Sequence, residues 1–192
     1  DVQGFFRTYY APNNACLVIS GDFDPSNARS MVEQYFAAIP RGKDFERPKS
    51  TPVALSHSAY MTFEDKVQLP RLYVTWPSAG GYTREDAVLS VLDQILSRGK
   101  NSRLYKSLVY QRQIAQSVNT SQDGREIAGL FGVEVTAKPD RNLTEILAVV
   151  DSIFADVLKN GVTEDEVNQA LTAAEVRVVN SAATVLGKAT NL

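Results

Sequence analysis

Between Pro40 and Ser58 the chain loses both helical and strand periodicity and collects Pro40, Gly42, Pro48 and Pro52 among scattered charges. Proline pins its own φ and removes a backbone donor, so a stretch of this kind reads as a connection between folded parts. The interruption divides the 192 residues into three expected parts. Residues 1–40 form the carboxyl-terminal tail of one domain, 41–58 a linker and 59–192 a second domain. Asp1, with no methionine before it, opens inside a helical stripe of Val2, Phe5, Phe6, Tyr9 and Tyr10, from which an excised fragment or processed product is expected, a removed leader explaining the missing methionine equally well.

On the first side, the opening helix should end near Ala11, before Pro12 and the turn-forming Asn13-Asn14. A buried strand is expected at 15–20, with Cys16 as a small buried hydrophobe. A helix capped by Asp24, with Pro25 at its first position, should follow. Beyond the linker, 59–65 and 70–76 read as strands, and Thr83 with Asp86 opens a helix that Gly99 ends. A short helix at 102–112 and a strand from Ile114 to Thr120 come next. Phe131, Val133, Val135 and Ala137 alternate as a half-buried strand does. Helices at 141–158 and 163–188 complete the chain, the second opening on the box Thr163…Glu166. Strands with hairpin-like spacing ahead of a helical pair indicate an α+β fold: two layers, a mostly antiparallel sheet with helices packed on one face.

An apolar content of 44% is enough for a folded core, and 20 basic against 22 acidic residues leave no face of one sign. Nucleic acid is therefore excluded as an expected partner. No apolar run approaches the roughly 20 residues that span a bilayer, so no membrane insertion is expected.

Zinc sites need three or four ligands drawn from Cys, His, Asp and Glu, and catalytic ones usually contain two or more histidines. This chain has one His and one Cys, so no catalytic residue and no metal ligand is assigned within it. His57, between two serines in the linker, reads as a solvated loop residue. Glu164-Asp165-Glu166 lies in the first turn of a helix, where carboxylates meet the positive end of its dipole, and Glu64-Asp65 ends a strand. Gly80-Gly81 has neither phosphate-loop spacing nor the dinucleotide pattern. The turn Arg98-Gly99-Lys100-Asn101-Ser102-Arg103 is a basic connection between helices that could touch a carboxylate or phosphate.

Two stretches together carry a resemblance. Phe6-Arg7-Thr8-Tyr9-Tyr10-Ala11-Pro12-Asn13-Asn14-Ala15, with Leu17-Val18-Ile19-Ser20-Gly21-Asp22-Phe23-Asp24, resembles the segment before the domain junction of pitrilysin/insulinase-type zinc peptidases. Leu69-Pro70-Arg71 followed by Ser102-Arg103-Leu104-Tyr105-Lys106-Ser107-Leu108 resembles the opening of their second domain. The resemblance implies the fold of the mitochondrial-processing-peptidase-like metallohydrolases, with homologous domains closing as a chamber around a peptide. It implies zinc in the full-length parent, bound by an H-x-x-E-H motif and a later Glu upstream of Asp1, and none in this chain. The implied partners are a peptide or unfolded protein substrate, the preceding catalytic domain and, as in two-component members, a partner subunit.

Arg103 and Tyr105 are the candidate substrate contacts. Val109 and Gln116 stand where many members carry an Arg and a Tyr that reach the substrate, and a valine has no donor to offer an oxyanion. A partner subunit that supplies this pair is the expectation. Bacterial relatives imply an envelope or periplasmic location, and a non-catalytic structural or assembly subunit of the same fold is the alternative role.

Overall fold

The computed structural model describes residues 1–47, 49 and 53–191. It divides into two compact units, one of Asp1–Pro48 with Ala174–Leu192 and the other of Lys49–Ala173.

The first unit contains helices α1 (Val2–Tyr9) and α2 (Pro25–Phe36) and a short 3-10 turn, Pro12–Asn14. Its local signals act as the sequence indicates. The Asp24 carboxylate accepts from the Asn27 amide at 2.7 Å, with Pro25 at the first helical position. The Asn13-Asn14 turn is held from the start of the linker: Asn13 Oδ1 accepts from the Gly42 amide at 2.9 Å, and its Nδ2 donates to Asp44 at 3.3 Å. Gly42 permits that approach, because a side chain there would run into the Ala11 methyl.

Residues 15–20 depart from expectation: no strand forms among the described residues, Leu17, Val18 and Ile19 are exposed, and so is Cys16. The reason is physical. An extended segment becomes a strand only with a neighbour for its backbone groups, and none is described here. Ala11 is accordingly the one buried apolar residue described in this unit. Helix α5 (Glu164–Ala182) runs through the boundary between the units, and the single helix expected over 163–188 instead stops at Ala182 and restarts as α6 (Val185–Thr190), capped by Thr184.

The second unit is an α+β layer around a three-stranded antiparallel sheet. Strands β1 (Arg71–Ser78), β2 (Ala115–Gly124) and β3 (Gly129–Ala137) lie in the order β1-β3-β2. Strands β2 and β3 form a hairpin in which Gly124 pairs with Gly129. Residues 59–65, expected as a strand, run unpaired among the described residues. Helix α3 (Arg84–Ser97) begins at Thr83, whose hydroxyl accepts from the Asp86 amide, and ends before Gly99 at φ +85°. Helix α4 (Leu143–Asn160) ends at Gly161, φ +75°.

Between α3 and β2 the expected short helix appears as a wide π-helical segment, Tyr105–Gln111. The Arg112 amide reaches Ser107, five residues back, and Ile114 reaches Leu108 past the left-handed Gln113. Leu96, Leu104, Leu108, Val133, Val135, Ile146 and Val150, each at most 2% exposed, form the core between sheet and helices.

Candidate functional site

The motif Ser102-Arg103-Leu104 sits where α3 gives way to the π-helical segment, and each of its residues faces inward. Ser102 is buried and its hydroxyl donates to the Gly99 carbonyl at 2.7 Å, closing the turn. Leu104 is fully buried. Arg103 spreads its guanidinium across the junction of α4 and α5. Nε and one terminal nitrogen donate to the two oxygens of Glu166, both at 2.7 Å. The other nitrogen donates to Asp156 at 3.0 Å, and the Gly161 carbonyl accepts a further bond at 3.1 Å. Two parallel bonds to one carboxylate are the geometry a guanidinium favours most.

Glu166 also closes the capping box of α5: it accepts from the Thr163 amide at 2.8 Å while its own amide donates to the Thr163 hydroxyl. Arg103 above all, with Thr163, holds the Glu166 carboxyl at about 2, well under its ordinary 4.5. Burial opposes that shift and loses to the hydrogen bonds. The candidate substrate contact Arg103 therefore has its donors committed to this junction.

Tyr105 is half-buried against the core, and Val109 packs there too. Gln116 is exposed and is the extra residue of a β-bulge: Ala115 pairs with Ala137 and Ser117 with Thr136, leaving Gln116 without a partner in β3. A bulge re-aims the side chain it carries. No sequence signal marked it, because a register shift exists only relative to the neighbouring strand.

Sequence reasoning also missed a buried polar knot between α3 and β2. The Thr120 hydroxyl meets Asp93 and lies 2.8 Å from Ser97 Oγ, which itself accepts from the Thr120 amide at 2.8 Å. Arg98 pairs with Asp93 at 3.3 Å and donates to the Thr120 carbonyl at 3.4 Å. Thr120 and Ser97 are both buried, so each hydroxyl needs these partners. Replacing Thr120 by valine keeps the volume but leaves the Ser97 hydroxyl without its acceptor. A loss of about 1–2 kcal/mol in unfolding free energy is expected, read from the urea midpoint.

The turn at Arg98–Ser102 borders an open cavity of about 260 Å3, shared with Gln169 and Ala170 of α5. A second depression, about 240 Å3, lies beside β1 and is lined by Trp76, Leu89, Leu92, Phe131 and Phe154. Trp76 and Phe154 stack there with ring centres 5.1 Å apart.

For zinc the donor set does not fit. His57 is exposed and bonded to Ser56, Cys16 is exposed, and no three His, Cys, Asp or Glu side chains converge on a metal-sized position among the described residues. No described helix is long and apolar enough to cross a membrane.

Fold and side chains thus define an α+β layer with its conspicuous motif devoted to structure. Residues 1–174 match the family described as the Peptidase M16 inactive domain, and the chain belongs to that family. An uncharacterized zinc protease of Streptomyces coelicolor is 23% identical over 178 residues, covering 88% of this chain and 38% of the relative. The chain therefore spans about two fifths of the length of the curated relatives it matches. A protease from Helicobacter pylori has the same fold, with a TM-score of 0.83 at 16% identity, over 98% of this chain and 46% of that one. The periplasmic protease PqqL of Escherichia coli aligns with a TM-score of 0.68 at 16% identity, over 98% of this chain and 22% of its own.

Proposed function

We propose that these residues are the zinc-free half of a peptide-enclosing chamber in a zinc metalloendopeptidase, with the zinc ligands on the part of the parent upstream of Asp1. The observation that carries this reading is the match of residues 1–174 to an inactive peptidase domain in relatives called zinc proteases. In this reading residues 1–40 complete a preceding catalytic-type domain, which fits their exposed apolar Leu17, Val18 and Ile19, and 59–192 form the second domain. The substrate is an extended peptide or unfolded protein. Engagement of Arg103 by Glu166 and Asp156 leaves it the role of shaping the chamber wall, and Tyr105 is the substrate contact left to this motif.

The Arg/Tyr pair absent at Val109 and Gln116 comes from a partner subunit. A periplasmic setting for the parent is favoured by its likeness to PqqL.

The test is cleavage of a quenched fluorescent peptide by the parent. Activity should require both zinc and residues 1–192, and fall at least about 10³-fold when the Glu of the upstream H-x-x-E-H is replaced by Gln. Cleavage that survives this substitution, or deletion of residues 59–192, would sink the reading. Full activity at monomeric dilution would remove the partner subunit alone.

A further inference from the structure

Around the cavity of about 260 Å3 beside the Arg98–Ser102 turn, the one carboxylate is already in use. Glu166 Oε1 accepts from Arg103 Nε, and Oε2 accepts from an Arg103 terminal nitrogen, the Thr163 amide and the Thr163 hydroxyl. A carboxylate engaged on both oxygens by a guanidinium has little charge left to hold a cation or to turn an anion away.

The donors are unspent. Arg98 gives Nε to Asp93 at 3.3 Å and one terminal nitrogen to the Thr120 carbonyl at 3.4 Å, and its other terminal nitrogen has no partner among the described residues. The Lys100 ammonium and the side-chain amides of Asn101 and Gln169 have none there either. With Arg98 balanced by Asp93 and Glu166 by Arg103, Lys100 leaves one positive charge over at the cavity. That suits a singly charged anion better than a phosphate dianion.

Lys100, Asn101 and Gln169 are exposed, whereas the apolar lining residues Ile95 and Ala170 are buried and Ala173 is half-buried. The cavity thus has a polar mouth and an apolar floor. Its volume falls short of the roughly 300–1,000 Å3 of sites for drug-sized molecules, so it has room for about one residue of a chain. An Asp or Glu side chain carries its charge at the end of its only stem, and either leaves the floor empty or buries the charge among apolar groups. A C-terminal aliphatic residue forks at Cα, with a carboxylate on one branch and an apolar side chain on the other. It matches mouth and floor together.

We propose that this cavity binds the free C-terminal residue of a peptide, its carboxylate on Lys100 and Arg98 and its aliphatic side chain against Ile95, Ala170 and Ala173. The rest of the peptide leaves through the open side. Hydrolysis of a peptide bond creates a new terminal carboxylate, so in the peptidase reading the ligand is the carboxyl end of a substrate or of a released product. The site itself rests on the cavity and its unspent donors, and not on that reading.

Titration of the 192-residue chain with N-acetyl-Ala-Leu, followed through amide chemical shifts, tests it. The free acid should shift the amides of Lys100, Asn101 and Ala170 saturably with a Kd of about 1 mM, and the same dipeptide with its C-terminus amidated should bind at least about 10-fold more weakly. Lys100→Gln changes an exposed side chain that has no partner to lose, so it should weaken the free acid about 5-fold and leave the unliganded spectrum unchanged outside the turn. The proposal is overturned by the absence of saturable shifts at these amides up to about 20 mM. Equal binding of the amidated dipeptide would mean that no carboxylate is read, and unchanged affinity in Lys100→Gln would remove the charge from the site. N-acetyl-Glu-amide binding as tightly as the free acid would assign the cavity to side-chain carboxylates. Because no readout involves cleavage, failure here is distinguishable from failure of the peptidase reading.

Discussion

Replacing Leu104 by alanine is expected to lower the unfolding free energy of the sheet-bearing unit by about 3–4 kcal/mol. Leu104 is fully buried, next in sequence to Arg103, and belongs to the same apolar cluster as Leu96, Leu108 and Val133. Truncation removes three carbons from water-free surroundings and leaves a void. Helices α3 and α4 can only partly close it, because Thr120 and Arg103 tie them to β2 and α5. The lone Trp76 packs near Phe131 and Phe154 in this unit, so its fluorescence during urea unfolding reports the change directly. A shift worth less than about 1 kcal/mol would mean that the site collapses freely and that the core is less closely filled than described.

The second large effect belongs to Arg103. Arg103→Met keeps most of the side chain's bulk but strips Glu166 of its bidentate partner and leaves Asp156 Oδ2 and the Gly161 carbonyl without the Arg103 donors, while Asn160 still donates to Asp156 Oδ1. A pair closed from solvent would lose about 3–5 kcal/mol on removal of one partner. Here the side chains of Arg103 and Glu166 are 18% and 28% exposed, so solvent screening brings the expected loss to about 2 kcal/mol. Arg103→Lys, which keeps the charge without the fork, should recover less than half of it.

The dependence on pH has a definite sign. Glu166 titrates lower in the folded protein, about 2, than its ordinary 4.5, so its contribution is fully present above pH 4.5 and fades as pH falls toward 2. The gap between wild type and Arg103→Met should therefore be constant from pH 5 to 7 and shrink below pH 4.5. A gap that stays unchanged down to pH 2.5 would assign the loss to packing and not to the ion pair.

These two effects recast the motif that carried the family resemblance. Read along the chain, Ser102-Arg103-Leu104 invites a role at the substrate. In the fold it locks a helical junction, with its serine on a turn carbonyl, its arginine on α4 and α5, and its leucine in the core. In the proposed reading, what remains for substrate is the half-buried Tyr105 and the exposed bulge at Gln116.

The local signals were legible in the sequence because the atoms involved lie within one helical turn. Asp24 with Asn27, Thr83 with Asp86 and Thr163 with Glu166 are each three residues apart and find each other in any context that lets a helix start. Alternation over Phe131, Val133 and Val135 required only the period of an extended chain, and the α+β class followed from it. Counting one His and one Cys sufficed to rule out a histidine-based zinc site. Residues 15–20 and 59–65 carry the composition of strands, yet a strand is completed by a neighbour's backbone, and composition does not supply one.

Tertiary structure alone decided the rest, since it depends on groups far apart in the chain. Arg103 meets Asp156 and Glu166 at sequence separations of 53 and 63, Thr120 meets Ser97 at a separation of 23, and the bulge at Gln116 exists only against the register of β3. Pairings of that separation form when the sheet and helices close together. The sequence determined which elements could form and that its one His and one Cys make no histidine-pair zinc site; the packed fold determined that the recognisable motif holds the structure together.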